Sequence, residues 1–447
     1  MHIRHRRLLA ATASMAAVLL AALPAHATTL PEVKAELETP ALFDDDAGGN
    51  ANADDPAIWL HPAHSGRSVV VATAKEGGLR AYSLSGATLQ SIPAPQPPRP
   101  GDEGGRFNNV DLLYGMPIGG AARDIAVVSD RGRDQLRIYR IDPAAAAVGA
   151  PPLVDVTDAG APLVFSADLD EVNDQRSAYG LATWRDKNTG GYYALVSRRH
   201  TTDVALVRLI ATPSGTVTYT VVRTLTLPNA FTLPNGQSWS PCLEPDEQAQ
   251  VEGMVVDAQT GVLYAGQEDV GIWRVSASLL GTPVLMDKVR EFGVPATFDE
   301  ATEECVRGAD PGFGGTHLSA DVEGLTMYYR RDGKGYLLAS SQGDFTFAVY
   351  QRQGANAFVG SFRIVADDDP SDPDGSEVCD GAAVLNVPLG NQFDEGLLVV
   401  QDGQNSPGEL DENGEQRENT NFKFVEWDDV AEEVGLAVDT SGWNPRW

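Results

Sequence analysis

The sequence predicts an all-β fold, a six-bladed β-propeller, on three observations. One phrase recurs six times along the 447-residue chain. Its apolar runs are short, β-branched or aromatic, and bounded by Gly, Asp, Asn or Pro, as strands joined by turns are. Almost nothing reads as helix; the clearest helical segment, Val430–Gly435, is about two turns long.

In the phrase, a carboxylate or Gly precedes an apolar run, a turn follows, and a second and third run complete the copy. The first copy is Asp54–Leu60, Ser68–Thr73 and Leu79–Leu84, and the second is Asn109–Tyr114, Asp124–Ser129 and Leu136–Ile141. The third reads Tyr179–Trp184, Tyr192–Ser197 and Val204–Leu209; the fourth, Glu252–Asp257, Gly261–Gly266 and Gly271–Val275. The fifth is Glu323–Tyr328, Gly335–Ser340 and Phe347–Arg352, and the sixth Asp380–Leu385, Gly396–Gln401 and Asn421–Trp427.

Copies begin 55 to 73 residues apart, enough for a four-stranded sheet each, and radial packing of such sheets is a propeller. A pair of β-sandwiches would not repeat one strand-turn-strand phrase six times. A strand around Val33–Leu37 is expected to join the last blade and close the ring. Asp367–Glu377 and Ser406–Glu418 read as loops.

Ahead of the repeats, Arg4, Arg6 and Arg7 precede an apolar stretch from Leu8 to Leu23 that ends at Ala25-His26-Ala27. This order predicts a signal peptide over 1–27 cleaved near Ala27, export to the periplasm or the medium, and one propeller domain over 28–447. Three cysteines exclude a disulfide scaffold and offer no CxxC metal pair. Cys242 and Cys305, each in a polar, turn-rich insertion, are the expected pair, with Cys379 left over.

The net charge is −30, or −33 without the three leading arginines, and it repels nucleic acid and anionic membranes. No membrane insertion is expected, and the chain should be a monomer.

In a propeller the innermost strands all begin at one face of the central channel, so residues opening the copies converge there. Most are acids: Asp54, Asp55, Asp111, Glu252, Glu323 and Asp380, with Asp321 two residues before Glu323 on the same side of an extended segment. Like charges held together need a counter-ion, and hard oxygen ligands favour Ca²⁺. Only His61, His64, His200 and His317 follow the leading segment, with no zinc pattern. Asp372-Pro373-Asp374-Gly375 lacks the ligands of an EF-hand loop.

The phrases Asp54–Leu60, Asn108–Asp111, Glu252–Met254, Asp321–Thr326, Gly335–Gly343 and Val400–Asn405 resemble the β-propeller phytase family, over roughly Asp54 to Trp427. The resemblance implies several bound calcium ions and 3-phytase-type hydrolysis of calcium phytate, the hexakisphosphate of myo-inositol. It places the acidic calcium site on Asp54, Glu252, Glu268, Asp321, Glu323, Asp374 and Asp380, with Glu252, Asp321 and Glu323 as its catalytic members. Asp55 and the Gln401-Asp402 segment match ligands of more structural ions. Phosphate-holding side chains fall on Lys75, Arg131, Tyr179 and Arg199. Three departures stand out: Glu76 replaces a second lysine common in the Bacillus members, Arg199 replaces a lysine, and Asp170-Glu171 is separated from Tyr179.

Phosphomonoester hydrolysis asks the protein mainly to aim a water and to neutralise charge on oxygens, which clustered cations can do. No Cys-x5-Arg loop, RHGxRxP signature or GNHD motif offers another phosphatase mechanism. The alternatives are a calcium-dependent lactonase-type propeller hydrolase and a non-enzymatic ligand-binding propeller.

Overall fold

The structure is a computed structural model that describes residues 30–45, 52–367, 369 and 372–446. The expected signal peptide lies outside the described residues. Six small antiparallel sheets form a six-bladed β-propeller. Blade one is Pro56–Trp59, Val69–Thr73, Leu79–Ser83 and Thr88–Ile92; blade two is Phe107–Ile118, Ala121–Asp130, Gln135–Ile141 and Leu153–Asp155. Blade three is Ala178–Arg185, Tyr192–Arg198, Asp203–Ala211 and Val217–Thr226, and blade four Val251–Asp257, Val262–Gln267, Gly271–Ser276 and Val284–Lys288. Blade five contains Val322–Tyr329, Gly335–Ser341, Thr346–Gln351 and Phe358–Ile364. Blade six takes Ala382–Leu385, Leu397–Asp402 and Asn419–Glu426 from the end of the chain.

The sixth copy lacks a fourth strand of its own, and the N-terminal segment supplies it. Leu37–Glu38 pairs antiparallel with Lys423–Phe424 and completes the outer edge of the last blade, as expected. Val33 departs from that expectation. Glu32–Val33 pairs in parallel with Arg363–Ile364 on the edge of blade five, so the segment bridges two blades and covers both edges. The predicted helix extends over Trp427–Val434 and stops at Gly435, whose φ of 74° is the left-handed conformation glycine adopts without strain.

Between blades the sheets bury alternating apolar side chains. Trp59, Val69 and Val71 of blade one, for example, meet Phe107, Val128 and Tyr139 of blade two. The innermost strands neighbour one another around the ring, and Ala382–Leu385 returns against Pro56–Trp59. They enclose a cavity of about 220 Å³ lined by all six blades. At its far end Trp443 stacks on Tyr329 at 4.0 Å, and Arg446 donates to Asp124 Oδ2 at 2.7 Å.

The two long insertions carry hairpins, Phe231–Thr232 with Ser238–Trp239 and Ala296–Asp299 with Glu304–Arg307. A Cys242–Cys305 disulfide joins them, and Cys379 is a buried free thiol whose pKa burial pushes up. Thiol titration of the denatured, unreduced protein should therefore return one thiol per chain, and three would contradict the pairing.

Candidate active site

The X-Gly dipeptides that open the copies have a packing cause. In blades three, four and five the ladder slips between Ala178 and Leu181, Val251 and Met254, and Val322 and Leu325, so each innermost strand begins with a bulge. A bulge re-aims the residue it carries. Here Tyr179, Glu252 and Glu323 point onto the rim of the channel, and the glycine after each lets the next blade close in. A Cβ on Gly180 would stand 2.1 Å from the Glu252 carbonyl oxygen, and one on Gly253 would stand 1.7 Å from that of Glu323. The spacing between site residues is thus set by backbone contacts that admit only glycine.

Each blade contributes one rim residue: Asp54, Asn108, Tyr179, Glu252, Glu323 and Asp380. In blade two the slip falls between Phe107 and Val110, which corrects the expectation for Asp111. Asn108 reaches the rim, and Asp111 turns into the channel to accept from Thr183 N at 2.7 Å and Thr183 Oγ1 at 2.9 Å. Asp55 also turns inward, accepting from Val110 N at 3.0 Å.

A second tier comes from the turns that follow the second strand of each blade. Lys75, Arg131 and Arg199 stand there in blades one to three, and Glu268 and Gln342 in blades four and five. The site is therefore split: cations on the turns of blades one to three face carboxylates of blades four to six and Asp54. Lys75 adopts φ 46°, a left-handed conformation that lysine enters at a cost, and its ammonium donates to Asp380 Oδ2 at 3.0 Å with Asp54 at 3.9 Å. Gln342 Nε2 holds the other Asp380 oxygen at 2.8 Å.

Asn108 Nδ2 donates to Glu252 Oε1 at 2.6 Å, Tyr179 donates to Glu252 Oε2 at 2.5 Å, and Arg131 donates to Asn108 Oδ1 at 3.2 Å over the Tyr179 ring. Arg131 Nε has no partner among the described residues. Burial, then Arg106 and Arg199, pull the Arg131 pKa down to about 10, which leaves it charged at neutral pH. Burial, then Arg199, Arg131 and Arg176, hold His200 near 4, so its ring meets Glu247 as a neutral donor at 2.8 Å.

Glu252, Glu268 and Glu323 bring carboxylate oxygens within 4.8 Å of one another, and so do Glu268, Asp269 and Asp321. Both oxygens of Asp54, Glu268 Oε1 and Glu323 Oε2 are buried without a hydrogen-bond partner among the described residues. Burial raises Asp54, Glu268 and Glu323 well above the ordinary carboxylate range, neighbouring carboxylates add to it, and Asp269 rises to about 7. Orphaned, mutually repelling oxygens from several blades are what a hard divalent cation would satisfy.

The remaining expected residues lie elsewhere. Asp374 and Asp402 surround the buried Lys423 ammonium together with Glu38, Asp402 at 3.3 Å, and not the rim carboxylates. Asp170 accepts from Arg99 at 2.7 Å and Glu171 from Arg198 at 3.0 Å, so neither joins the cluster. Sequence reasoning missed Asn108, Asp269 and Gln342, as well as Arg106, which pairs with Glu76 beside Arg131.

The sequence matches the phytase family model over residues 5–232 and 244–446. A 3-phytase of Bacillus subtilis (strain 168) is 34% identical over 395 residues, 88% of this chain and 84% of that protein. Among solved structures, BBS1N in complex with ARL6DN is 10% identical with a TM-score of 0.38, covering 89% of this chain and 93% of that one. A protein from Lactobacillus plantarum is 13% identical with a TM-score of 0.36, covering 68% and 69%. Superpositions that loose carry no argument about this chain.

Proposed function

The chain belongs to the phytase family and is an enzyme that hydrolyses phytate, and from that premise we propose a calcium-dependent 3-phytase in which bound calcium would activate a water for direct attack on the phosphorus. The observation that carries the reading is the divided rim, with orphaned carboxylate oxygens of Asp54, Glu268 and Glu323 facing Lys75, Arg131 and Arg199. Glu252, Glu268, Asp321, Glu323, Asp54 and Asp380 would hold the ions. Calcium bound there supplies charge neutralisation on phosphate oxygens and acidifies water.

The chain's own groups do the positioning. Lys75, Arg131 and Arg199 bind phosphate oxygens, the arginines through paired N–H groups. Tyr179 and Asn108 fix both oxygens of Glu252, so that carboxylate keeps one orientation. Asp55 and Asp402 serve more structural ions in this reading; Asp374 and Asp402, already facing Lys423, stabilise the junction with the N-terminal strand.

No described helix is long and apolar enough to cross a membrane. We infer export, with removal of residues 1–27, from the leading segment and the disulfide. The test of activity offers the protein phytate and a lactone with Ca²⁺ present. Phosphate release without lactone opening is expected; lactone opening alone, or no turnover of either, contradicts the reading.

Removal of calcium should also act on stability, because a ligand bound only to the native state adds RT ln(1 + [L]/Kd). Chelation should lower the melting temperature. The pH dependence of the chelated protein follows from the raised carboxylates. Native Asp269 holds its proton up to about 7 while the unfolded group ionises near 4, so the native state binds more protons between those values. Stability without calcium is then greatest below about pH 4 for these groups and is lost as pH rises towards 7. Melting curves in chelator at pH 5 and pH 7 check it: a higher midpoint at pH 7 contradicts the assignment.

A further inference from the structure

Six residues, 173–178, separate Asp170-Glu171-Val172 from Tyr179. Among them is a serine at the junction of blades two and three. Ser177 is fully buried, and its hydroxyl donates to the Arg131 carbonyl at 2.5 Å. Its own carbonyl accepts from Arg199 N at 2.9 Å. One residue therefore touches the backbone of both arginines on the cationic side of the rim, Arg131 in the turn of blade two and Arg199 in the turn of blade three.

Its neighbours tie the same two turns. Ala178 N donates to Asp134 Oδ1 at 2.8 Å, so the chain entering blade three is pinned to the far end of the blade-two turn as well. That turn is closed on its other side: Arg131 N donates to the Arg106 carbonyl at 2.8 Å, and a Cβ on Gly132 would stand 1.9 Å from the Gly104 carbonyl oxygen. Arg198 Nε donates to the Arg176 carbonyl at 2.8 Å and holds the turn of blade three to the residue before Ser177. The guanidinium groups supply no attraction of their own. Arg199 is among the charges that lower the Arg131 pKa, so the two repel, and a fixed spacing between them has to come from the backbone. A buried hydroxyl bonded to a buried carbonyl is such a restraint, because either group left unpaired away from water costs more than the bond's net contribution.

We propose that Ser177 is a positioning residue for phosphate binding: its hydroxyl fixes the backbone of Arg131 relative to Arg199, so that the two guanidinium groups meet phosphate oxygens together. Ser177 touches no substrate in this account and acts through Arg131. The inference rests on the phytase reading and deepens it, naming what holds the cationic side of the rim in place against its own repulsion.

The experiment measures kcat, KM for phytate and the inhibition constant of inorganic phosphate in the calcium-loaded protein, with a melting curve for each variant. Ser177→Ala should raise KM and the phosphate constant together, roughly fivefold, the effect of about one hydrogen bond, while kcat stays within about twofold. In an Arg131→Ala background the same change should add less than about twofold, because the group through which Ser177 acts is gone, whereas in a Lys75→Ala background the full effect should persist. Equal effects in all these backgrounds would mark a general loosening of the ring and overturn the proposal, as would an unchanged phosphate constant in folded Ser177→Ala. Ser177→Cys, close in size and with only a weak S–H donor, carries the same comparison if the alanine variant does not fold. If neither folds, the hydroxyl holds the blades rather than the arginines, and the proposal falls. Phosphate release from phytate by the unmodified protein tests the parent reading separately: an active protein whose phosphate constant is indifferent to Ser177 sinks this inference alone.

Discussion

Glu323→Gln should lower kcat on calcium phytate by about 10²–10³-fold while leaving the fold intact, the scale on which a preorganised electrostatic group acts. Glu323 opens the innermost strand of blade five, is buried, and brings an oxygen within 4.8 Å of those of Glu252 and Glu268. Its Oε2 has no hydrogen-bond partner among the described residues. Glutamine keeps the volume and removes one of the charges that would hold the cations. The loss should appear in kcat because the cluster acts on charge that develops during reaction, and a higher calcium requirement should accompany it. Steady-state kinetics over a range of calcium concentrations, with a melting curve as control, checks this; near-normal turnover by folded Glu323→Gln contradicts it.

Lys75→Ala should act mainly through KM, raising it roughly 10–100-fold, because losing a hydrogen bond to a charged group costs about 1.5–3 kcal/mol. Lys75 faces Asp380 at 3.0 Å and Asp54 at 3.9 Å, and these carboxylates hold it protonated against the effect of burial. In the proposed role it meets phosphate in both ground and transition states, so some loss of kcat should accompany the change. The ordering is the discriminating result: Glu323→Gln is the more severe in kcat and Lys75→Ala in KM. The reverse ordering would place the metal and phosphate sides of the rim the wrong way round.

The blades were legible because each innermost strand is a buried run opened by a recognisable residue and closed by a turn. Asp54, Glu252, Glu323 and Asp380 were legible because one residue type recurs at the same place in the phrase. Asn108 was not: it is uncharged, and only the ladder slip in blade two reveals that it, and not Asp111, occupies that place. Gln342 and Arg106 were hidden for a related reason. Their roles come from the turns beside neighbouring blades, where Gln342 reaches Asp380 and Arg106 reaches Glu76. Contacts between chain positions far apart leave no local period.

The N-terminal segment shows the same limit. A closing strand was readable near Val33–Leu37, but its division between blades five and six depends on which edges remain unpaired, and that is a property of the assembled ring. Asp374 resembled a rim ligand by motif, yet the fold brings it to Lys423, a residue 49 positions further along.

The most direct measurement of the central claim follows phosphate release from phytate by one sample taken through three states: calcium-loaded, chelated, and calcium-restored. The divided rim predicts turnover in the first state, loss in the second and recovery in the third, with the melting temperature falling and rising in step. Undiminished phosphate release after thorough chelation would contradict the account.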